Sequence, residues 1–226
     1  CEVFCVTKIG RKTMKENVKR TTVKLAQCAV FVVLMIVAAF IRIPVPFVPI
    51  TFQTMMSVLA GLLLGPWYGA ASVAVYLFLG LLGLPVFAGG GGIVYVVNLT
   101  FGYLLGFVAA AFAAGFVVGK KELTFRRAAT AAMAGLFVNY LIGIPYFACI
   151  WSFYLHNAGL WENLVLYNFI FIPKDAILCL LAAFLAVRVS PALFPVYKRK
   201  KPAQNTVSEG EKNGCETAQN GDASGR

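Results

Sequence analysis

The chain predicts an all-α, polytopic membrane protein with six transmembrane helices and both termini cytoplasmic, and three observations carry that fold class. Of its 226 residues, 60% are hydrophobic and 13% charged, the mean hydropathy is +0.79, and the apolar residues come in runs rather than in amphipathic stripes. Six of those runs approach the roughly 20 helical residues that a hydrocarbon core of about 30 Å demands. The third observation is where the cations fall. Of twenty Lys and Arg, seven lie in residues 1–24, four between Lys120 and Arg127 and seven from Arg188 onward, leaving Arg42 and Lys174 for the opposite side. Cytoplasmic loops are enriched in Lys and Arg, so an even number of spans is required.

The spans follow in order. Val23 to Ile43 is uncharged between Lys24 and Arg42, and Ile50 to Leu64 is shorter, borrowing length from the proline-kinked lead-in Pro44 to Pro49. Gly65-Pro66 is a stop signal, because glycine accepts a left-handed cap and proline cannot continue the ladder, so the next span, Tyr68 to Leu84, forms a tight hairpin with the second. Asn98 to Val118, Ala128 to Ile150 and Pro173 to Val189 complete the set. The expected organisation is a cytoplasmic arm over residues 1–22, a six-helix membrane domain over 23–190 and a polar, largely disordered cytoplasmic tail over 191–226. Met14-Lys15-Glu16-Asn17 looks like a bacterial translation start, so residues 1–13 are either an upstream extension or part of the arm.

Charge and cysteine usage narrow the function classes. The +11 net charge is a topology signal and a membrane-surface contact before it is a nucleic-acid footprint, since the cations are spread over three segments with no binding module. Six cysteines form no disulfide framework: Cys28, Cys149 and Cys179 fall inside spans and read as small hydrophobes. One histidine, His156, argues against a His-based metal site. Of nine acidic residues only Asp175 adjoins a span, whereas a proton-coupled carrier needs a relay of intramembrane ionisable groups, and no nucleophile and base share a face for intramembrane catalysis. A binder, or a carrier energised from elsewhere, remains.

Polar residues in the apolar stretches supply candidate sites. Thr51 and Gln53 follow Pro46-Phe47-Val48-Pro49, and Gly80 to Phe87 leads into Gly89-Gly90-Gly91-Gly92, a loop whose backbone either closes over a ligand or merely turns. No Gly-Lys-Ser/Thr follows, so it is not a phosphate loop. Pro173-Lys174-Asp175 reads in two ways. Proline in a first helical turn with aspartate beside it caps span six, or Lys174 and Asp175 offer opposite charges to a ligand at its outer mouth. Lys174, one residue earlier, leaves the helix about 100° round from Asp175. Tyr103, Asn139 and Tyr140 are polar handles for a ligand or for another helix. The aromatic connection around Trp151 and Trp161 reads as an interface belt, with Trp161, Leu164, Val165 and Asn168 on a short helix along it. Small residues four apart, as in Gly61 and Gly65 or Gly102 and Gly106, read as helix-packing positions, within the bundle before a partner subunit.

With these residues in view, the chain resembles the BioY family, the biotin-binding S components of energy-coupling factor (ECF) transporters. The resemblance runs from about Thr22 to Pro191. It is carried by Pro44 to Gln53, Ala60-Gly61-Leu62-Leu63-Leu64-Gly65-Pro66 with Tyr68-Gly69, Gly80 to Phe87 with its glycine run, Phe101-Gly102-Tyr103 and Ile172-Pro173-Lys174-Asp175. It implies high-affinity biotin capture at the outer face of the cytoplasmic membrane, without enzyme activity or a cofactor. A transmembrane coupling protein and two ATP-binding-cassette ATPases would supply the energy. The family's aspartate, glutamine and Gly-Tyr match Asp175, Gln53 and Gly102-Tyr103. Gly91, Leu104 and Leu178 stand where family members often carry asparagine, arginine and lysine, and the helix-one alanine motif reads Ala26, Ala29, Val30. The candidate ligand-binding residues are Gln53, Gly89, Gly90, Gly91, Tyr103, Asn139, Lys174 and Asp175. The glycine loop would close an outward-facing cavity, Asp175 would accept ureido N–H groups, and Lys174 or Gln53 would meet the carboxylate or carbonyl. The alternatives are an S component or carrier for another vitamin or small solute and, from a different class, a membrane enzyme or scaffold.

Overall fold

The computed structural model describes residues 2–43, 50–119, 123–155 and 160–193; the Pro44 to Pro49 lead-in, Lys120 and Lys121, His156 and the tail beyond Leu193 lie outside the described residues. In chain order these are α1 (Glu2–Phe40), a two-residue antiparallel ladder of β1 (Arg42–Ile43) with β2 (Ile50–Thr51), α2 (Gln53–Leu64) and α3 (Pro66–Leu81). A 3-10 turn (Ile93–Val97) precedes α4 (Phe101–Val118); α5 (Phe125–Ile150) runs on into a π-helical segment (Trp151–Leu155), and α6 (Leu160–Leu193) ends the fold.

Thr21–Phe40, Phe101–Val118 and Phe125–Phe153 are long and apolar enough to cross a membrane, at 20, 18 and 29 residues. The α2 and α3 helices have 12 and 16 residues, a rise of only about 18 and 24 Å at 1.5 Å per residue. Between them Gly65, at a left-handed φ of 83°, ends α2 while Pro66 opens α3, the hairpin break legible in Gly65-Pro66. At the other end of α2 the β1–β2 ladder pairs Arg42 with Thr51 and so fixes where Gln53 enters the bundle.

Two helices differ from expectation. The α1 helix starts at Glu2 rather than Val23 and stops at Phe40, so the arm and the first span share one helical backbone. The α6 helix starts at Leu160, not Pro173, which absorbs the short interfacial helix expected around Trp161 to Asn168. Pro173 and Asp175 therefore sit inside a helix rather than at its first turn, and the capping reading of Asp175 is overturned. Proline removes one ladder hydrogen bond, which a packed neighbourhood inside a membrane protein tolerates; Pro145 does the same inside α5.

The centre of the bundle is α4, which packs against α2, α3 and α5. Its small residues make that possible. A side-chain carbon on Gly106 would strike Asn139 of α5, one on Gly115 would strike Pro66, and one on Gly61 of α2 would strike the Ala111 carbonyl, so backbones approach as van der Waals packing between membrane helices requires. Buried Ser57 ties α2 to α4 by donating to the Phe107 carbonyl at 2.7 Å. Cys179 is buried in the core, Cys28 half-buried and Cys149 exposed, all as free thiols.

Candidate functional site

A cavity opens where α2, α4, α5 and α6 converge. The start of α2 contributes Thr51, Gln53 and Thr54, and the segment after α3 contributes Ala88 and Tyr95. From α4 and its approach come Thr100, Tyr103, Leu104 and Phe107; from α5, Asn139, Tyr140 and Phe147; from α6, Phe171, Lys174 and Asp175. Apolar and aromatic walls thus surround a few convergent polar groups, and Lys174 and Asp175 are the charged members of this lining.

Asp175 is 4% exposed, and a carboxylate removed from water must be held by partners. Tyr140 donates its hydroxyl to Oδ2 at 2.8 Å. Lys174 Nζ lies 2.6 Å from Oδ1, off the direction a hydrogen bond needs, so Oδ1 is sealed beside a cation yet accepts no directed bond. The expectation that Lys174 projects away from Asp175 is corrected by its flexible four-carbon stem, which carries Nζ back across the offset. The same ammonium donates to the Thr51 carbonyl at 3.3 Å and lies 5.2 Å from the Phe171 ring centroid, a cation–π distance. One side chain of α6 therefore ties down the start of α2.

On the α2 wall, Gln53 Nε2 donates to Tyr76 Oη at 2.6 Å, and Tyr76 donates to the Val86 carbonyl at 3.1 Å. On the α4 side, the Thr100 hydroxyl donates to Asn98 Oδ1 at 2.9 Å, so Tyr95 is the donor in its 3.2 Å contact with Thr100 Oγ1. Asn139 is 1% exposed and its Oδ1 has no hydrogen-bond partner, an arrangement that costs about 1–3 kcal/mol for a buried amide. Tyr103 meets Tyr140 edge to face at 5.7 Å.

Five of the eight candidate ligand-binding residues, Gln53, Tyr103, Asn139, Lys174 and Asp175, line this one cavity, as do Thr51 and Tyr140. Gly89, Gly90 and Gly91 do not; Ala88 is the loop's lining residue. The loop is folded back on α3 instead. Phe87 and Gly90 exchange backbone hydrogen bonds at 2.9 and 3.1 Å, Gly92 donates to the Gly80 carbonyl at 2.7 Å, and a side-chain carbon on Gly91 would collide with the Leu84 carbonyl. Glycine at 91 is thus explained by backbone packing. Leu104 lines the cavity, whereas Leu178 is buried in the core behind it. Tyr76, Tyr95, Thr100 and Tyr140 complete the hydrogen-bonding set.

These features define a class: an apolar helical bundle of membrane-protein composition, built round a cavity in which one buried carboxylate is held by a lysine and a tyrosine. The chain belongs to the BioY family, whose model matches residues 12–194. It is 39% identical over 173 residues to the "Probable biotin transporter BioY" of Lysinibacillus sphaericus, covering 76% of this chain and 88% of that protein. Against the "Biotin transporter BioY" of Thermotoga maritima it is 36% identical over 168 residues, 74% of this chain and 95% of the relative. A solved structure described as the S-component for biotin from an ECF-type ABC transporter superposes with a TM-score of 0.65 at 30% identity, covering 76% of this chain and 93% of that one.

Proposed function

We propose that this chain captures biotin from outside the cell as the S component of an ECF-type transporter, residing in the cytoplasmic membrane as a six-span protein with both termini inside. It is a transport component and not an enzyme, and biotin is its substrate rather than a cofactor. The observation that carries the reading is Asp175: a buried carboxylate in the cavity lining, oriented by Tyr140 and paired with Lys174. A cyclic urea brings N–H donors to this carboxylate as Lys174 turns to the rest of the ligand, and a charge-assisted bond of that kind is among the stronger ones. Lys174 then meets the ligand's carboxylate or carbonyl, and Phe107, Phe147, Phe171 and Leu104 enclose its apolar ring and chain.

Among the described residues α1 leaves a continuous exposed stripe of Ala26, Ala29, Val30, Val33 and Val37. Its small residues suit close approach by another membrane helix, which supports docking to a coupling protein that works with two ATP-binding-cassette ATPases. Those partners hydrolyse the ATP. Equilibrium titration of the detergent-purified chain with radiolabelled biotin is the direct test: saturable binding in the nanomolar range, unaffected by riboflavin or thiamine, is expected. Absence of saturable binding would overturn the assignment of biotin.

A further inference from the structure

We infer that Tyr76 is a positioning residue that fixes the Gln53 amide with its carbonyl oxygen toward the cavity, so that the α2 wall accepts a hydrogen bond from a ligand N–H. The inference rests on the biotin reading above and assigns that wall an acceptor where a donor was expected.

The direction of each hydrogen bond follows from what the groups can do. The Val86 carbonyl can only accept, so Tyr76, 3.1 Å away, commits its single hydroxyl hydrogen there. The Tyr76 oxygen is left as an acceptor, and the group 2.6 Å from it must be the Gln53 NH2. A flipped amide would set Oε1 against that oxygen and pull the hydroxyl hydrogen off Val86, leaving a buried carbonyl unsatisfied. Tyr76 is 1% exposed, so water does not substitute, and Phe87 holds its ring edge-on at 5.6 Å. The tip of the Phe87 ring is itself packed against Gly80.

Gln53 lines the cavity while Tyr76 does not. Among the described residues nothing donates to Gln53 Oε1, and that atom is not among the sealed, partnerless ones; it opens into the cavity. The site then has acceptor groups on two walls, Gln53 Oε1 from α2 and the Lys174-paired Asp175 carboxylate from α6. A cyclic urea carries two N–H donors flanking one carbonyl, and this pair of acceptors selects for that feature over solutes with a single donor.

A double-mutant cycle with radiolabelled biotin on the full chain tests the inference. Gln53→Leu weakens binding about ten-fold, and Tyr76→Phe weakens it about five-fold with Gln53 present but less than about two-fold in the Gln53→Leu background, the non-additivity of residues acting through one another. Equal losses in both backgrounds would make Tyr76 structural and overturn its positioning role. A second readout keeps Tyr76 intact: biotin methylated at either ring nitrogen is compared on the natural chain and on Gln53→Leu. The penalty for one methyl isomer shrinks in the variant; two unchanged penalties would overturn the acceptor assignment. If the natural chain shows no saturable biotin binding, the reading and this inference fall together, whereas binding with an additive cycle removes only the inference.

Discussion

Tyr140 on α5 donates to Asp175 Oδ2 across 2.8 Å, joining two helices through the carboxylate at the heart of the cavity. With the Lys174 ammonium 2.6 Å from Oδ1, that bond gives Asp175 a part in both the charge of the cavity and the packing of the bundle.

Replacing Asp175 by Asn keeps the shape and removes the charge. Biotin affinity falls at least about ten-fold, the loss of one charge-assisted hydrogen bond worth about 1.5–3 kcal/mol, while the folded yield by size-exclusion chromatography is maintained. Tyr140→Phe produces a smaller loss in the same titration, because it frees the carboxylate to rotate without removing it. Unchanged affinity in Asp175→Asn would reduce Asp175 to a helix-pairing residue.

Lys174→Met destabilises the chain more than Asp175→Asn does. Removing the cation leaves a buried carboxylate uncompensated, a loss of about 3–5 kcal/mol when a buried pair is broken from one side, reduced here because the Lys174 side chain is 24% exposed. The double variant Lys174→Met/Asp175→Asn recovers thermal stability without recovering biotin binding, as followed by scanning fluorimetry in detergent and by ligand titration.

Gly91→Asn weakens biotin binding. The Leu84 carbonyl occupies the space a side-chain carbon at 91 would need, so the substitution pushes the loop off α3 and moves Ala88 at the cavity wall. Gly89→Ala, which meets only the edge of the Tyr95 ring at 3.2 Å, has the milder effect in the same assay.

Gly106→Ala lowers both stability and affinity, because the added methyl drives into Asn139 and overpacking of this kind costs about 1–3 kcal/mol. A larger increase at exposed Ala74, the two carbons of Ala74→Val, leaves the melting temperature and biotin titration unchanged.

Trp151 stacks on Phe147 with centroids 5.7 Å apart, and Phe147 lines the cavity. Ligand binding therefore changes the tryptophan emission through Trp151. Trp151→Phe abolishes most of that signal while calorimetry still reports binding; a full signal in the variant would assign the response to Trp67 or Trp161.

Much of this is readable in the chain because membrane helices announce themselves locally. Apolar runs mark the helices, Gly65-Pro66 marks one hairpin, and polar residues as rare as Gln53, Asn139 and Asp175 stand out against hydrocarbon, where each must find a partner. Tyrosines stand out less. Tyr103 and Tyr140 are legible as polar handles without a partner named, Tyr76 and Tyr95 look like bulk until the fold shows where each hydroxyl points, and only tertiary structure brings Tyr76 to Gln53, 23 positions away, or Tyr140 to Asp175, 35 positions away. Pro173 misled for the opposite reason. Its local preference for a first turn is outweighed by packing that carries α6 straight through it, and Gly89 to Gly91 were read as a lid because glycine's freedom suits both a lid and the tight folded turn that the backbone hydrogen bonds make.

The reach of Lys174 to the Thr51 carbonyl spans 123 positions of sequence, with a consequence for biogenesis. During synthesis the first five helices are made before the two cavity charges of the last, so a nascent chain halted anywhere before residue 174 lacks the carboxylate, the ammonium and the strap across the start of α2. Vitamin capture then becomes possible only once the sixth helix has been delivered, and a ligand added during translation would report completed insertion rather than guide it.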